Sequence, residues 1–189
     1  MAHRSNHPIM TMALLISLSW SVGITTLTAQ DVQRNEMLET INARQQTSWK
    51  TAKQIWNWAE PGYQETKSSA LLIKILRAQG FHIESEVAGI PTAFTATFGK
   101  GKPIIGMLGE YDALPGLSQQ ATPQRAQPED KSNGYGHGCG HHLLGVASME
   151  GAIAIAQQIK AGNIQGTIRY YGCPAEEGGS AKVFMVNAG

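Results

Sequence analysis

Pro103-Ile104-Ile105-Gly106-Met107-Leu108 is a short apolar run, and Gly109-Glu110-Tyr111-Asp112-Ala113-Leu114-Pro115 follows it with two acids. A continuous apolar stretch of this length predicts a strand buried on both faces. Upstream, Phe81 to Val87 alternates as a strand does. Thr92 to Phe98 reads as a second strand, and Gly99-Lys100-Gly101-Lys102 as the turn into the apolar run. Before these, Val32, Met37, Leu38, Ile41, Trp49, Ile55 and Trp56 recur at mostly helical spacing over residues 31–59, and Pro61-Gly62 stops them. A second helix fits Glu65 to Gln79, with Gly80 as its stop. On the other side, a polar loop from Gly116 to Gly136 leads to a helix from about His142 to Lys160. A strand from Gly166 to Tyr171, a turn from Pro174 to Gly179 and a last helix from Ser180 to Asn187 follow. Strands alternating with helices predict an α/β sheet covered on both faces. Its functional groups should then lie beyond the carboxyl ends of the strands, at Glu110 to Pro115 and at Pro174 to Gly178.

Composition excludes several classes. The chain has 189 residues, 42% of them apolar and 15% charged, with a net charge of +1. That is neither the low hydrophobicity nor the high charge of a disordered chain. The basic residues are scattered, so neither nucleic acid nor an anionic membrane is an expected partner. Residues 1–29 read as targeting: Arg4, then an apolar run from Met10 to about Leu27, then Thr28-Ala29-Gln30. This is the order of a secretory signal with cleavage after Ala29. An uncleaved anchor is the other reading, although Ser17, Ser19, Ser21 and Gly23 interrupt the run. Either way the mature part is expected outside the cytoplasm, periplasmic or secreted, without stable membrane insertion once the signal is cut. Cys139 and Cys173 are the only cysteines; a disulfide and a metal thiolate at Cys139 are the competing uses.

Three segments carry chemistry. Gly136-His137-Gly138-Cys139-Gly140-His141-His142 puts four potential metal ligands into six residues at a helix start. Gly140 permits the turn that lets Cys139 and His141 face one ion, while His142 can instead cap the helix or face a substrate. In Cys173-Pro174-Ala175-Glu176-Glu177-Gly178-Gly179, adjacent side chains of an extended segment point to opposite sides. One carboxylate can then grip a metal while the other serves the attacking water as general base. Two solvated acids opening a helix is the bland alternative. Asp112 can accept a ring N–H from a ligating histidine, or form an Asx turn before Pro115. Acids at a strand end are expensive unless paired or near a metal.

Taken together, the wording and order of Leu108-Gly-Glu-Tyr-Asp-Ala-Leu-Pro, Gly-His-Gly-Cys-Gly-His and Tyr-Tyr-Gly-Cys-Pro-Ala-Glu-Glu-Gly-Gly resemble the group formed by the B subunits of aminobenzoyl-glutamate hydrolases. That group lies within the metal-dependent amidohydrolase, aminoacylase and peptidase family. The resemblance runs from about Gln54 to Gly189. It implies a zinc-exopeptidase-like mixed sheet with flanking helices, of which residues 30–189 form a truncated N-terminal part of the catalytic domain, without the second, dimerisation domain. It implies two divalent ions, zinc or manganese, with Cys139 (bridging), His141 and Glu177 as ligands, Glu176 as general base and Asp112 as the acid that orients the site. Where the peptidase branch has a histidine, this chain has Glu110. The implied substrate is a small N-acyl or aminobenzoyl amino acid such as aminobenzoyl-glutamate, and the full-length protein would be a homodimer or heteromer. Family members are much longer and supply further histidine ligands beyond the position of Gly189, whereas all six histidines here lie at or before His142. The expectation is therefore an incomplete centre that alone binds metal weakly and turns over little. An inactive truncated remnant, and a dipeptidase or N-acyl-amino acid deacylase of the same family, are the rival readings.

Overall fold

The computed structural model describes residues 28–128 and 134–189. The expected leader, apart from its last two residues, and part of the polar loop lie outside these. Helix α1 spans Ala29–Trp58. Its first turn is held by a capping box: the Thr28 hydroxyl accepts from the Asp31 N–H, and the Asp31 carboxylate accepts from the Thr28 N–H. Cleavage after Ala29 would remove that cap. Ala59, in the left-handed region, ends the helix before Pro61 is reached. Helix α2, Thr66–Ala78, is capped by Glu60, whose buried carboxylate accepts from the N–H groups of Lys67 and Ser68 at 3.0 and 2.9 Å.

Strands β1 (His82–Ser85), β2 (Phe94–Lys100) and β3 (Ile104–Gly109) follow. Strands β4 (Leu114–Pro115) and β5 (Tyr135–Gly136) pair at the base of the polar loop. Helix α3 (His141–Lys160), strand β6 (Gly166–Gly172) and helix α4 (Ala181–Asn187) complete the chain. The main sheet runs β1-β2-β6-β3, antiparallel except for the parallel pair β6 and β3. It is a mixed sheet with flanking helices. Phe94, Ala96, Ile168 and Tyr170 face α2 and α3, on which α1 packs in turn, and form the core with Ile55, Leu72, Leu76, Met149 and Ile153.

Two expectations fail here. The apolar run is not buried on both faces: Ile104, Ile105 and Leu108 are 54%, 53% and 58% exposed. Among the described residues strand β3 is the sheet edge, with β6 as its one neighbour, so its outer side is open. Nor, among the described residues, is the sheet covered on both faces. Opposite the helices, α4 meets only one end, through Ala181 and Met185 against Tyr171, Cys173 and Ala175. Among the described residues no helix is long and apolar enough to cross a membrane.

The parallel pair positions the site. Strands β3 and β6 end side by side, tied by the Cys173 N–H to the Gly109 carbonyl at 2.8 Å. Helix α3 starts over the same end, because Gly145 lets it approach the backbone of Glu110. A Cβ at Gly145 would lie 2.3 Å from the Glu110 carbonyl oxygen.

Candidate metal centre

His141 is the focus. Gly140, at φ 79°, makes the left-handed turn that opens α3 and carries His141 inward. The His141 ring donates from Nδ1 to Asp112 Oδ1 at 2.9 Å. This fixes the tautomer and turns Nε2 toward three carboxylates: Glu110 at 3.1 Å, Glu176 at 3.7 Å and Glu177 at 3.8 Å. Asp112 is 1% exposed, and its other oxygen accepts the Glu177 N–H at 2.9 Å. One buried carboxylate thereby orients both the imidazole and the acidic turn. Glu110 is also paired with the Lys182 ammonium of α4.

Two donor groups emerge, Cys139 with His141 and Glu177, and Glu110 with His141 and Glu176; within each, the candidate ligand atoms lie within 4.8 Å of one another. Both use His141, whose outward nitrogen has one lone pair, so they form one centre of five donors. Thiolate, imidazole and carboxylate suit zinc or a similar divalent ion. The electrostatics fit as well. Burial works against charge on Asp112, but hydrogen bonds from His141 and Glu177 outweigh it and hold its carboxyl below the usual range. The Asp112 hydrogen bond raises His141, with burial opposing and the neighbouring acids helping. The Glu177 hydrogen bond, burial and the nearby acids push the Cys139 thiol up. A pocket that stabilises a cation on His141 and resists an anion on Cys139 is one that a metal ion would complete.

The structure brings together Asp112, Cys139, His141, Glu176 and Glu177, and adds Glu110. The expectation that Glu176 and Glu177 point to opposite sides does not hold. They lie in a turn after Ala175, which has φ 51°, and both carboxylates reach the same nitrogen. His137 stays outside the centre, with its Nε2–H donated to the Ile55 carbonyl at 3.2 Å. His142 is buried against Trp56 and His137, and burial, with His137 and His141 nearby, pushes its pKa down to about 4. Cys139 is exposed and Cys173 buried, and both are free thiols.

Sequence reasoning missed Glu65. It is fully buried, accepting the Ala175 N–H at 2.7 Å and the Thr92 hydroxyl at 2.9 Å, so it pins the turn that holds Glu176 and Glu177. Glu65→Ala is expected to lower stability by about 2–4 kcal/mol, since it leaves a buried N–H unpaired beside a cavity. Glu65→Gln, which keeps an acceptor for Ala175, should lose less than half of that. Urea melts of the three proteins decide it; equal losses for Ala and Gln would show that the acceptor is not what matters.

No family model matches the chain. It is 48% identical over 152 residues to the B subunit of p-aminobenzoyl-glutamate hydrolase from Escherichia coli (strain K12), covering 80% of this chain and 31% of that protein. It is 30% identical over 152 residues to the mouse Xaa-Arg dipeptidase, covering 73% of this chain and 31% of that one. The chain thus spans about a third of the length of these curated relatives. In fold it is similar to a dinuclear metal-binding peptidase from the M20 family of Bacillus subtilis, with TM-score 0.65, 23% identity, and coverage of 78% of this chain and 40% of that one.

Proposed function

We propose, from the chain's relationship in sequence to a p-aminobenzoyl-glutamate hydrolase and in fold to an M20 peptidase, that it carries part of the centre of a metal-dependent amide hydrolase. The observation that carries this reading is the single His141 nitrogen, locked from behind by Asp112 and faced by Glu110, Glu176 and Glu177, with Cys139 alongside. Cys139, His141 and Glu177 would hold a divalent ion, zinc or manganese, with Glu110 completing the donor set. When bound, such ions polarise the amide carbonyl and make water more acidic. Glu176, with the most exposed carboxylate of the group, takes the proton of the attacking water and returns it to the leaving nitrogen. Asp112 keeps His141 in one tautomer throughout, and Lys182 holds Glu110 in place.

The substrate would be a small N-acyl or aminobenzoyl amino acid, with aminobenzoyl-glutamate the first to try. The relationship to a dipeptidase makes dipeptides the second choice. Because the bacterial relative is one of the lettered subunits of its enzyme, assembly with a different chain or with further copies of this one belongs to the same reading. Residues 1–29 imply export to the periplasm or beyond. Five donors, four of them grouped around one imidazole nitrogen, do not make two full coordination shells, so the 189-residue chain alone is expected to bind metal weakly.

The test is release of p-aminobenzoate from p-aminobenzoyl-glutamate by the protein from its native source. Activity that disappears on chelation and returns with manganese or zinc is the expected result; activity that survives full chelation overturns the reading. Intact mass and N-terminal sequence of the same sample test the leader.

A further inference from the structure

Helix α1 carries Trp49, Lys53 and Trp56 at spacings of four and three, so they share one helix face. That face is not core at its outer end, where Trp49 is 60% exposed. With the loop at residues 119–122 it walls a cavity of about 280 Å³. His142, only 8% exposed, forms the inner wall. Its ring meets Trp56 edge-on, with centroids 4.9 Å apart, and His137 backs it at 4.8 Å. Its Nδ1 is buried without a hydrogen-bond partner. A buried imidazole nitrogen left unpaired calls for a partner.

We propose that this cavity binds a small aryl acid, a single aromatic ring bearing a carboxylate. Its volume is at the low end for ligand sites, which suits one ring with a short substituent. The indole faces and the imidazole provide stacking and edge contacts for that ring. Among the described residues, the one charged group on the wall is the Lys53 ammonium, and no acid lines the cavity. This arrangement disfavours a cation, which an aromatic cage would otherwise attract, and favours an anion. Gln119 and Gln120 add amide donors for the carboxylate. None of Glu110, Asp112, Cys139, His141, Glu176 or Glu177 lines the cavity, so the site is separate from the metal centre although His142 follows His141 in the chain.

The experiment is calorimetric titration of the chain with benzoate in the presence of a chelator. Because it is run without metal, its failure leaves the hydrolase reading untouched. Benzoate should bind, and cyclohexanecarboxylate should bind much more weakly. Lys53→Gln and Trp56→Leu should each weaken benzoate about fivefold or more, the scale of one lost charge or ring contact. Cys139→Ser should leave it unchanged. Lys53 is exposed, so its substitution spares the fold and keeps the test decisive even if Trp56→Leu is unstable. No binding by the folded chain, equal affinity in Lys53→Gln, or loss in Cys139→Ser would each overturn the proposal.

Discussion

His141→Ala abolishes divalent-metal binding by this protein, with an expected loss of more than about 100-fold, beyond the 10- to 100-fold typical of removing a group that only supports a ligand. Both candidate donor groups depend on this one imidazole. Without it Glu110, Glu176 and Glu177 face one another across an empty position, and Asp112 keeps a buried charge with no ring N–H to accept from. Cobalt is the useful probe, because a thiolate from Cys139 would add a charge-transfer band that reports the ligand as well as the affinity. Asp112→Asn provides the internal contrast. It leaves the imidazole in place but loosens its tautomer and orientation, so the loss should be about 10- to 100-fold. Cobalt affinity unchanged in folded His141→Ala would mean that the carboxylates bind metal without the imidazole, and the centre would have to be redrawn around Glu110, Glu176 and Glu177.

Most of the elements were legible in the sequence. Helices α1, α2 and α3 announce themselves by apolar spacing, and their ends by Pro61, Gly80 and Gly162, because local backbone chemistry decides where a helix stops. Strand β3 shows the limit. Ile104, Ile105 and Leu108 record that this strand is built to be covered, but a run of apolar residues says nothing about which neighbour does the covering or whether it lies within the same segment. The site divides in the same way. Cys139 and His141 were readable because their spacing and the glycine between them are local. Glu60 and Glu65 were not. They are buried carboxylates whose partners are backbone N–H groups, at Ser68 for one and at Ala175, 110 residues away, for the other. In sequence, a glutamate that caps a helix or pins a turn looks like any surface glutamate. The Glu176–Glu177 error has a related cause: the turn read over Pro174 to Gly179 is present, but the left-handed Ala175 that starts it sets the side-chain directions, and alanine carries no signal for that conformation.

That turn also separates the roles of the two adjacent acids. Glu177 is anchored at its own N–H by Asp112, and its carboxylate is 17% exposed, whereas that of Glu176 is 41% exposed and open to a substrate. Glu176→Gln is therefore expected to lower hydrolysis of p-aminobenzoyl-glutamate by about 10²- to 10⁴-fold, the usual contribution of a general base. Its effect on metal affinity should be much smaller, because the amide keeps the shape and removes only the proton acceptor. Glu177→Gln should do the reverse, weakening metal first and recovering much of its turnover when excess metal is supplied. Measured on the protein from its native source, the pair of variants gives two readouts, metal affinity and rate at saturating metal. If instead Glu177→Gln loses rate that metal cannot restore while Glu176→Gln loses metal, the base and the ligand exchange places. The fold would be unaffected by that outcome, since the contacts that hold the turn come from Asp112 and Glu65 to the backbone and not from either glutamate's side chain.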